Sequence, residues 1–263
     1  MIFTVFGSSG FIGGALAARL RALGHTVHAP PRDRAGWQRS ALGHAIYAIG
    51  LTADFRARPF DTVRAHVSVL ADCLESADFQ SFTYLSSTRV YQKSRAATVG
   101  LPLAVDPADP SDLYNLTKLT GESLCLNCGR AGTRVVRLSN VVGKAAAASD
   151  NFVDQLVREA RGGHIMLRSD PGCAKDYIRL DDVVEMLPRI AAGGGAGVYH
   201  LASGVNLTHR EWIEALRELT GCRVSVPEGG EPQVFPPIDI RALVEEFDFT
   251  PRPVLELLPT LLT

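Results

Sequence analysis

The chain has 263 residues, enough to bury a substantial core in one domain or in one domain with a lobe. Apolar residues make up 46%, charged residues 21%, and the formal net charge is −1, so neither nucleic acid nor an anionic membrane is the expected partner. No apolar run approaches the roughly 18 residues of a membrane span, and no basic leader precedes the first strand pattern, so a cytoplasmic protein is expected.

Ile2 to Phe6 is a short run of strand formers. It leads into Gly7-Ser8-Ser9-Gly10-Phe11-Ile12-Gly13-Gly14 and then an apolar-periodic helix from Ala15 to Leu23. Glycines at a G-x-x-G-x-x-G spacing permit a tight turn. They also let a pyrophosphate approach the free N–H groups at a helix start. Gly24 to Ala29 reads as the second strand, followed by Pro30-Pro31-Arg32-Asp33-Arg34. An acidic residue at that point would bind a ribose 2′-hydroxyl, and a basic one a 2′-phosphate. Arg32 and Arg34 therefore favour NADP(H); NAD(H) bound through Asp33 is the alternative. Arg32 to Gly43 spans only a dozen residues, about the length of a crossover with its helix.

His44 to Ile49 is the next strand, and Gly50 at its end permits close backbone approach. Asp61 to Glu75 is a long amphipathic helix. The strand Ser81 to Leu85 ends in Ser86-Ser87-Thr88-Arg89-Val90-Tyr91, at the carboxyl end where open α/β sheets place ligands. Gln92 to Leu113 is a long loop suited to the rim of a site. Ser111 or Asp112 then caps a helix carrying Tyr114-Asn115-Leu116-Thr117-Lys118. Positions four apart share a helix face, so a phenol and an ammonium stand side by side. The ammonium is expected to lower the tyrosine pKa from about 10. Such a phenol can move a proton at a carbonyl or alcohol. Cys125 and Cys128 form a C-x-x-C late in this helix, where the helix N-terminus cannot activate a thiol, and read as small helix residues. No His or Cys spacing suggests a metal site.

G-x-x-G-x-x-G at the start, S-S-x-x-V-Y and Y-x-x-x-K together resemble the extended short-chain dehydrogenase/reductase family, which includes nucleotide-sugar epimerases, dehydratases and ketoreductases. The resemblance implies that Gly7, Ser9, Gly10, Phe11, Ile12, Gly13 and Gly50 hold the dinucleotide. Ser87 would hydrogen-bond the substrate oxygen, Tyr114 would transfer the proton, and Lys118 would also bond the nicotinamide ribose. Thr88 would contact substrate. Relatives that remove water carry an acidic pair after the serine; Thr88 and Arg89 stand there, which argues against a dehydratase and against the related decarboxylases. Relatives also fit a helix and a third strand before His44, so that edge strand is expected to be shortened or missing.

Beyond Thr133 to Leu138, a further strand, Arg137-Leu138-Ser139-Asn140-Val141-Val142-Gly143 resembles the family's R-x-x-N-x-x-G, whose Asn meets the activated sugar. Asn151 to Ala160 is helical, with Ser149 or Asp150 as cap. Lys175-Asp176-Tyr177-Ile178-Arg179-Leu180-Asp181-Asp182-Val183 matches R-D-[YF]-x-x-V-x-D-[VL], with Lys175 replacing an arginine often found on the diphosphate. Lysine keeps the charge but lacks the bidentate fork. Asp181 and Asp182 open a helix and read as structural. Val198 to Leu201 is the last core strand, with His200 a strand residue, and Thr208 caps the helix Arg210 to Thr220.

The expected fold is α/β: a doubly wound, Rossmann-like parallel sheet with a small C-terminal substrate lobe. The dinucleotide domain would comprise 1–142 with 176–203, and the lobe 143–175 with 204–263. The expected activity is that of an NAD(P)-dependent oxidoreductase of a nucleotide-activated sugar, a 4-ketoreductase first. A 4-epimerase with retained cofactor, a reductase of a small non-nucleotide carbonyl and a catalytically idle dinucleotide sensor are the alternatives. Two apolar faces on the Tyr114 helix suggest a homodimer.

Overall fold

The computed structural model describes residues 1–31, 41–146, 151–226 and 229–263. Six strands form one parallel sheet: β1 (Ile2–Phe6), β2 (Thr26–His28), β3 (His44–Tyr47), β4 (Ser81–Ser87), β5 (Thr133–Leu138) and, later in the chain, β9 (Gly197–Leu201). Their order is β2-β1-β3-β4-β5-β9, with every pairing parallel. Among the described residues no strand lies outside β2, and most of the short stretch before His44 falls outside them. Arg32, Asp33 and Arg34 fall outside the described residues.

Parallel strands need a cover on both faces, and the side-chain alternation supplies two cores. Val5, Ile46 and Leu85 point to one side and meet Leu16 and Leu20 of α1 (Phe11–Ala22) and Val183, Leu187 and Ile190 of α6 (Leu180–Gly193). Their neighbours Phe6, Tyr47 and Tyr84 point to the other side. There they meet Leu70 and Leu74 of α3 (Val69–Ser76) and Cys125 of α4 (Asp112–Asn127). Each such large side chain, fully buried, contributes about 1.5–3 kcal/mol.

The helix expected over Asp61–Glu75 is broken into three: α2 (Pro59–Val63), a π-helical turn (Arg64–Ser68), and α3. Such π turns often occur at functional sites, and this one carries the buried His66. A 3-10 turn (Thr88–Tyr91) follows β4.

Smaller sheets lie beyond the carboxyl edge. β8 (Ala174–Arg179) pairs in parallel with β6 (Asn140–Val142) and antiparallel with β10 (Asn206–Thr208). β7 (His164–Met166) pairs with β11 (Arg223–Ser225). A separate core of Val142, Leu156, Tyr177, Trp212, Leu216 and Leu258 joins these strands to α5 (Phe152–Arg161), α7 (His209–Thr220) and α9 (Leu258–Leu262). Leu243 and Phe247 of α8 (Arg241–Phe247) and Phe249 pack instead into the core of the parallel sheet.

The expected Thr208 cap is present, completed by Glu211 into a capping box. The other two caps differ from expectation. α5 is capped by Asn151, reciprocally with Asp154, while Ser149 and Asp150 lie outside the described residues. At α4, Ser111 occupies the cap position in helical φ/ψ, which aims its hydroxyl away from the free N–H groups, and Arg56 donates to it at 2.7 Å. The Asp112 carboxylate instead accepts from Lys93 at 2.6 Å, the Asp106 N–H at 2.8 Å and Asn115 at 2.9 Å, which ties the rim loop to the helix start. No described helix is long and apolar enough to cross a membrane.

Candidate active site

The carboxyl ends of β1, β3, β4 and β5 open into a cavity of about 620 Å³, closed on its far side by β8 and the Phe235–Ile238 segment. Its floor is the glycine turn. Gly7 has φ +82°, and a Cβ there would stand 2.9 Å from the Ala48 carbonyl. A Cβ on Gly13 would run into the Gly7 carbonyl, so both positions require glycine for turn and helix to pack. Gly10 is the N-cap of α1 with no side-chain cap, and the first turn holds no acidic residue. The leading N–H groups of a helix have no intrahelical acceptor, and here Gly10, Phe11, Ile12 and Gly13 line the cavity. That electropositive cradle fits the pyrophosphate of a dinucleotide. Gly7 shapes the turn from behind, and Ser9 is exposed outside the lining.

Ser87, Tyr114 and Lys118 all line this cavity. Ser87 ends β4 in extended geometry, and its Oγ accepts the Arg89 N–H at 3.1 Å. Tyr114 is 6% exposed, its ring edge-on to His66 at 5.3 Å and tilted against Phe55 at 5.5 Å. Lys118 is 4% exposed and donates from Nζ to the Leu85 carbonyl at 2.9 Å. Its Nζ lies 5.9 Å from the Tyr114 ring centroid and 5.0 Å from that of Tyr84.

The electrostatics differ from the spacing argument. Burial raises the Tyr114 pKa above its ordinary value; the Ser87 hydroxyl and then the Arg89 charge pull it part of the way back. Lys118 is not the cation acting on the phenol. Its own ammonium is desolvated, which brings its pKa down to about 7 against an opposing pull from Glu122. Spacing fixes which side chains are neighbours, but burial decides which protonation state is cheap.

His66 is a site residue that sequence reasoning missed. The Leu51 N–H donates to its Nε2 at 3.2 Å, which leaves Nδ1 to donate to Thr117 Oγ at 2.8 Å. Thr117 in turn donates to the Leu113 carbonyl at 2.9 Å. Burial, then the Lys118 charge, hold the imidazole neutral, with a pKa of about 2. The ring thus rivets the segment after β3, including Gly50, to the face of α4 that carries Tyr114. A Cβ on Gly50 would lie 3.3 Å from His66 Nε2 and 3.5 Å from Lys118 Nζ. No local signal marks His66, since its partners are far away in sequence.

Behind the site, Glu122 accepts from Arg137 at 2.9 and 2.6 Å and from Ser86 at 2.5 Å. Arg137 also donates to the Tyr91 hydroxyl. That hydroxyl meets His200 Nε2 at 2.8 Å, and His200 Nδ1 donates to the Asp239 carbonyl at 2.7 Å. His200 is therefore a buried strand residue, not part of the cavity lining.

Thr88, beside Ser87, and Asn140 and Lys175 line the same cavity. Asn140 opens β6 and donates from Nδ2 to the Asp176 carbonyl at 2.8 Å. The buried Asp176 carboxylate accepts from the Ser203 N–H and hydroxyl at 2.9 and 3.0 Å and the Gly204 N–H at 2.7 Å, locking β8 against the turn after β9. Burial nonetheless raises its pKa. Lys175 stands 5.6 Å from the Phe235 ring centroid, and burial lowers its pKa, with the Arg89 charge adding to the effect. Asp182 is structural, accepting from Arg252 at 2.5 and 3.0 Å, and Asp181 pairs with Arg179 at 3.3 Å. Among the described residues no cluster of His, Cys, Asp and Glu could hold a metal ion.

A sequence profile of the NAD dependent epimerase/dehydratase family matches residues 48–202, more than half of the chain. The chain belongs to that family. Within this epimerase/dehydratase family the matched stretch runs from the end of β3 to the turn after β9 and so contains Ser87, Tyr114 and Lys118. The resemblance to extended short-chain dehydrogenases/reductases, a family of enzymes, is thereby met. A search of curated protein sequences gave no match. Among solved structures, MoeE5 in complex with UDP-glucose and NAD is 22% identical, with a TM-score of 0.83 over 100% of this chain and 97% of that one. RMD from Pseudomonas aeruginosa, complexed with NADPH, is 24% identical, with a TM-score of 0.75 over 100% and 97%. UDP-glucose 4-epimerase from Thermotoga maritima, with UDP-glucose, is 18% identical, with a TM-score of 0.76 over 100% and 97%. At these identities the likeness is one of fold.

Proposed function

We propose that this family member is an NAD(P)-dependent oxidoreductase acting on a nucleotide-activated sugar, and that it works as a 4-ketoreductase. The observation that carries the reading is the convergence of the glycine cradle, Ser87, Tyr114, Lys118, Asn140 and Lys175 on one cavity. Gly10, Phe11, Ile12 and Gly13 would hold a dinucleotide pyrophosphate, with Gly50 and Lys118 at the nicotinamide ribose. When bound, the nicotinamide supplies the hydride. NADP(H) is the proposed form, on the strength of Arg32 and Arg34 in the sequence; equal or better turnover with NADH would remove that assignment.

Ser87 Oγ donates to the substrate carbonyl oxygen and fixes it. Tyr114 Oη delivers a proton to that oxygen as it gains charge. The Arg89 charge offsets the charge left on the phenol, and the Lys118 pKa of about 7 lets that group exchange a proton near neutral pH. Asn140 meets the sugar, Lys175 the diphosphate, and Thr88 the substrate beside Ser87. Thr88 and Arg89 offer no acid–base pair for dehydration. The lobe of 143–175 with 204–263 contributes Asn151, Lys175, Phe235 and Ile238 to the site. Exposed Phe60 and Val63 on α2 and Leu126 on α4 support a homodimer through these helices; sedimentation as a monomer at assay concentrations would end that part of the reading.

The test is incubation of 4-keto sugar nucleotides with NADPH. Stoichiometric NADPH oxidation and a reduced sugar support the ketoreductase. Conversion of a saturated sugar nucleotide with no added cofactor identifies a 4-epimerase instead. Reduction of small ketones with no response to any nucleotide removes the sugar-nucleotide substrate.

A further inference from the structure

We infer that Arg89 forms an anion subsite beside the proton-transfer hydroxyl, so that the sugar taken by this site carries a carboxylate close to the reacting carbon. This rests on the nucleotide-sugar reading above and narrows its substrate class.

Arg89 follows Ser87 by two residues and is tied to it through its own N–H. Its guanidinium carbon lies 6.0 Å from the Tyr114 ring centroid and 5.6 Å from that of Phe55, within the cavity lining. Among the described residues its one hydrogen bond from the guanidinium reaches the Ser111 carbonyl at 3.5 Å, the outer limit of such a bond. Its Nε is buried with no hydrogen-bond partner among the described residues. Among the described residues no carboxylate forms an ion pair with it. The nearby Asp112 and Asp109 are engaged by Lys93 at 2.6 and 3.0 Å.

Lys175, in the same cavity, likewise has no ion-pair or hydrogen-bond partner among the described residues. Among the described residues the one acidic side chain in the lining, Asp176, is committed to Ser203 and Gly204. Apart from Lys118, which is held by the Leu85 carbonyl, two partly desolvated cations thus share a cavity whose described residues offer them no free anion. Desolvating a charge without a partner is costly, and a bound anion removes the cost. A diphosphate near Lys175 accounts for one of the two. The Arg89 head lies at the Ser87–Tyr114 end, where the sugar reacts. A planar guanidinium with open N–H groups matches a carboxylate bidentately, which an ammonium cannot do.

The test is calorimetric titration of the purified protein with two matched pairs, UDP-glucuronate against UDP-glucose and GDP-mannuronate against GDP-mannose, with UDP and GDP alone as controls. At least one uronate should bind about tenfold or more tightly than its neutral partner, the worth of a charge-assisted pair. Arg89→Gln should bring that ratio close to one, Arg89→Lys should fall between, and UDP or GDP should bind both variants much as they bind the parent. Thermal melts of the two variants separate lost recognition from lost folding, and Arg89→Lys keeps the charge if Arg89→Gln is unstable. Equal binding of uronate and neutral sugar overturns the subsite while leaving the nucleotide-sugar reading intact. A ratio that survives Arg89→Gln also overturns it. So does a matching loss of UDP or GDP affinity, which would assign Arg89 to the phosphates. Failure of every nucleotide ligand to bind removes the nucleotide-sugar reading, and the subsite with it.

Discussion

The Lys118 ammonium donates to the Leu85 carbonyl at 2.9 Å, two residues before Ser87. This bond pins helix α4 to strand β4 at the end where Tyr114 and Ser87 meet. It is made by a group that burial brings down to a pKa of about 7 from the ordinary lysine value of 10.5. Between those two values the unfolded chain binds the proton that the folded chain releases, so stability rises with pH across that window. Lys118→Met lacks this rise. It should be inactive yet more stable than the parent at pH 7 and below, with the advantage fading toward pH 10.5. Urea melts of both proteins across that range check it, and a pH-independent difference would contradict it.

His66 offers a second test. With a pKa of about 2 its ring should remain neutral through roughly pH 5–8, the range in which an ordinary histidine titrates. Its NMR ring resonances should stay flat there; a titration midpoint near 6 would show an exposed or unpaired ring. His66→Leu leaves the Leu51 N–H without its acceptor and should cost about 1–3 kcal/mol by denaturant unfolding. Because the same segment lines the cavity, the KM for the dinucleotide should rise more than kcat falls.

The buried Glu122–Arg137 pair should behave as a unit. Arg137→Met strands a buried carboxylate and should cost about 3–5 kcal/mol. Adding Glu122→Leu should return much of that loss. Equal or additive destabilisation in a double-mutant cycle would mean the two side chains are not coupled.

Local chemistry was the legible part. The β1–glycine–α1 unit and the Tyr114–Lys118 spacing each lie within a few residues, so periodicity and turn chemistry found them. Pairings made by the fold were not legible. His66 finds Thr117 across 51 residues, Lys118 finds Leu85 across 33, and Asp176 finds Ser203 across 27. The direction of the Tyr114 pKa was misjudged for the same reason. Helical spacing places a cation nearby, but the phenol's pKa follows its burial, to which Phe55 and His66 contribute from the segment after β3 and the π turn. The Asn151 cap was missed by one or two positions, an ordinary boundary error where several capping residues adjoin.

The central claim is that the Tyr114 hydroxyl supplies the proton for a hydride reduction in this cavity. The most direct measurement is the single-turnover rate of NADPH oxidation with a 4-keto sugar nucleotide, for the parent and for Tyr114→Phe. The variant should bind both ligands and keep its melting temperature, because only one oxygen is removed. Its rate should fall about 10²–10⁴-fold, as expected for loss of a positioned general acid. A Tyr114→Phe protein that binds both ligands and turns over at the parent rate would show that the proton comes from elsewhere and contradict the account.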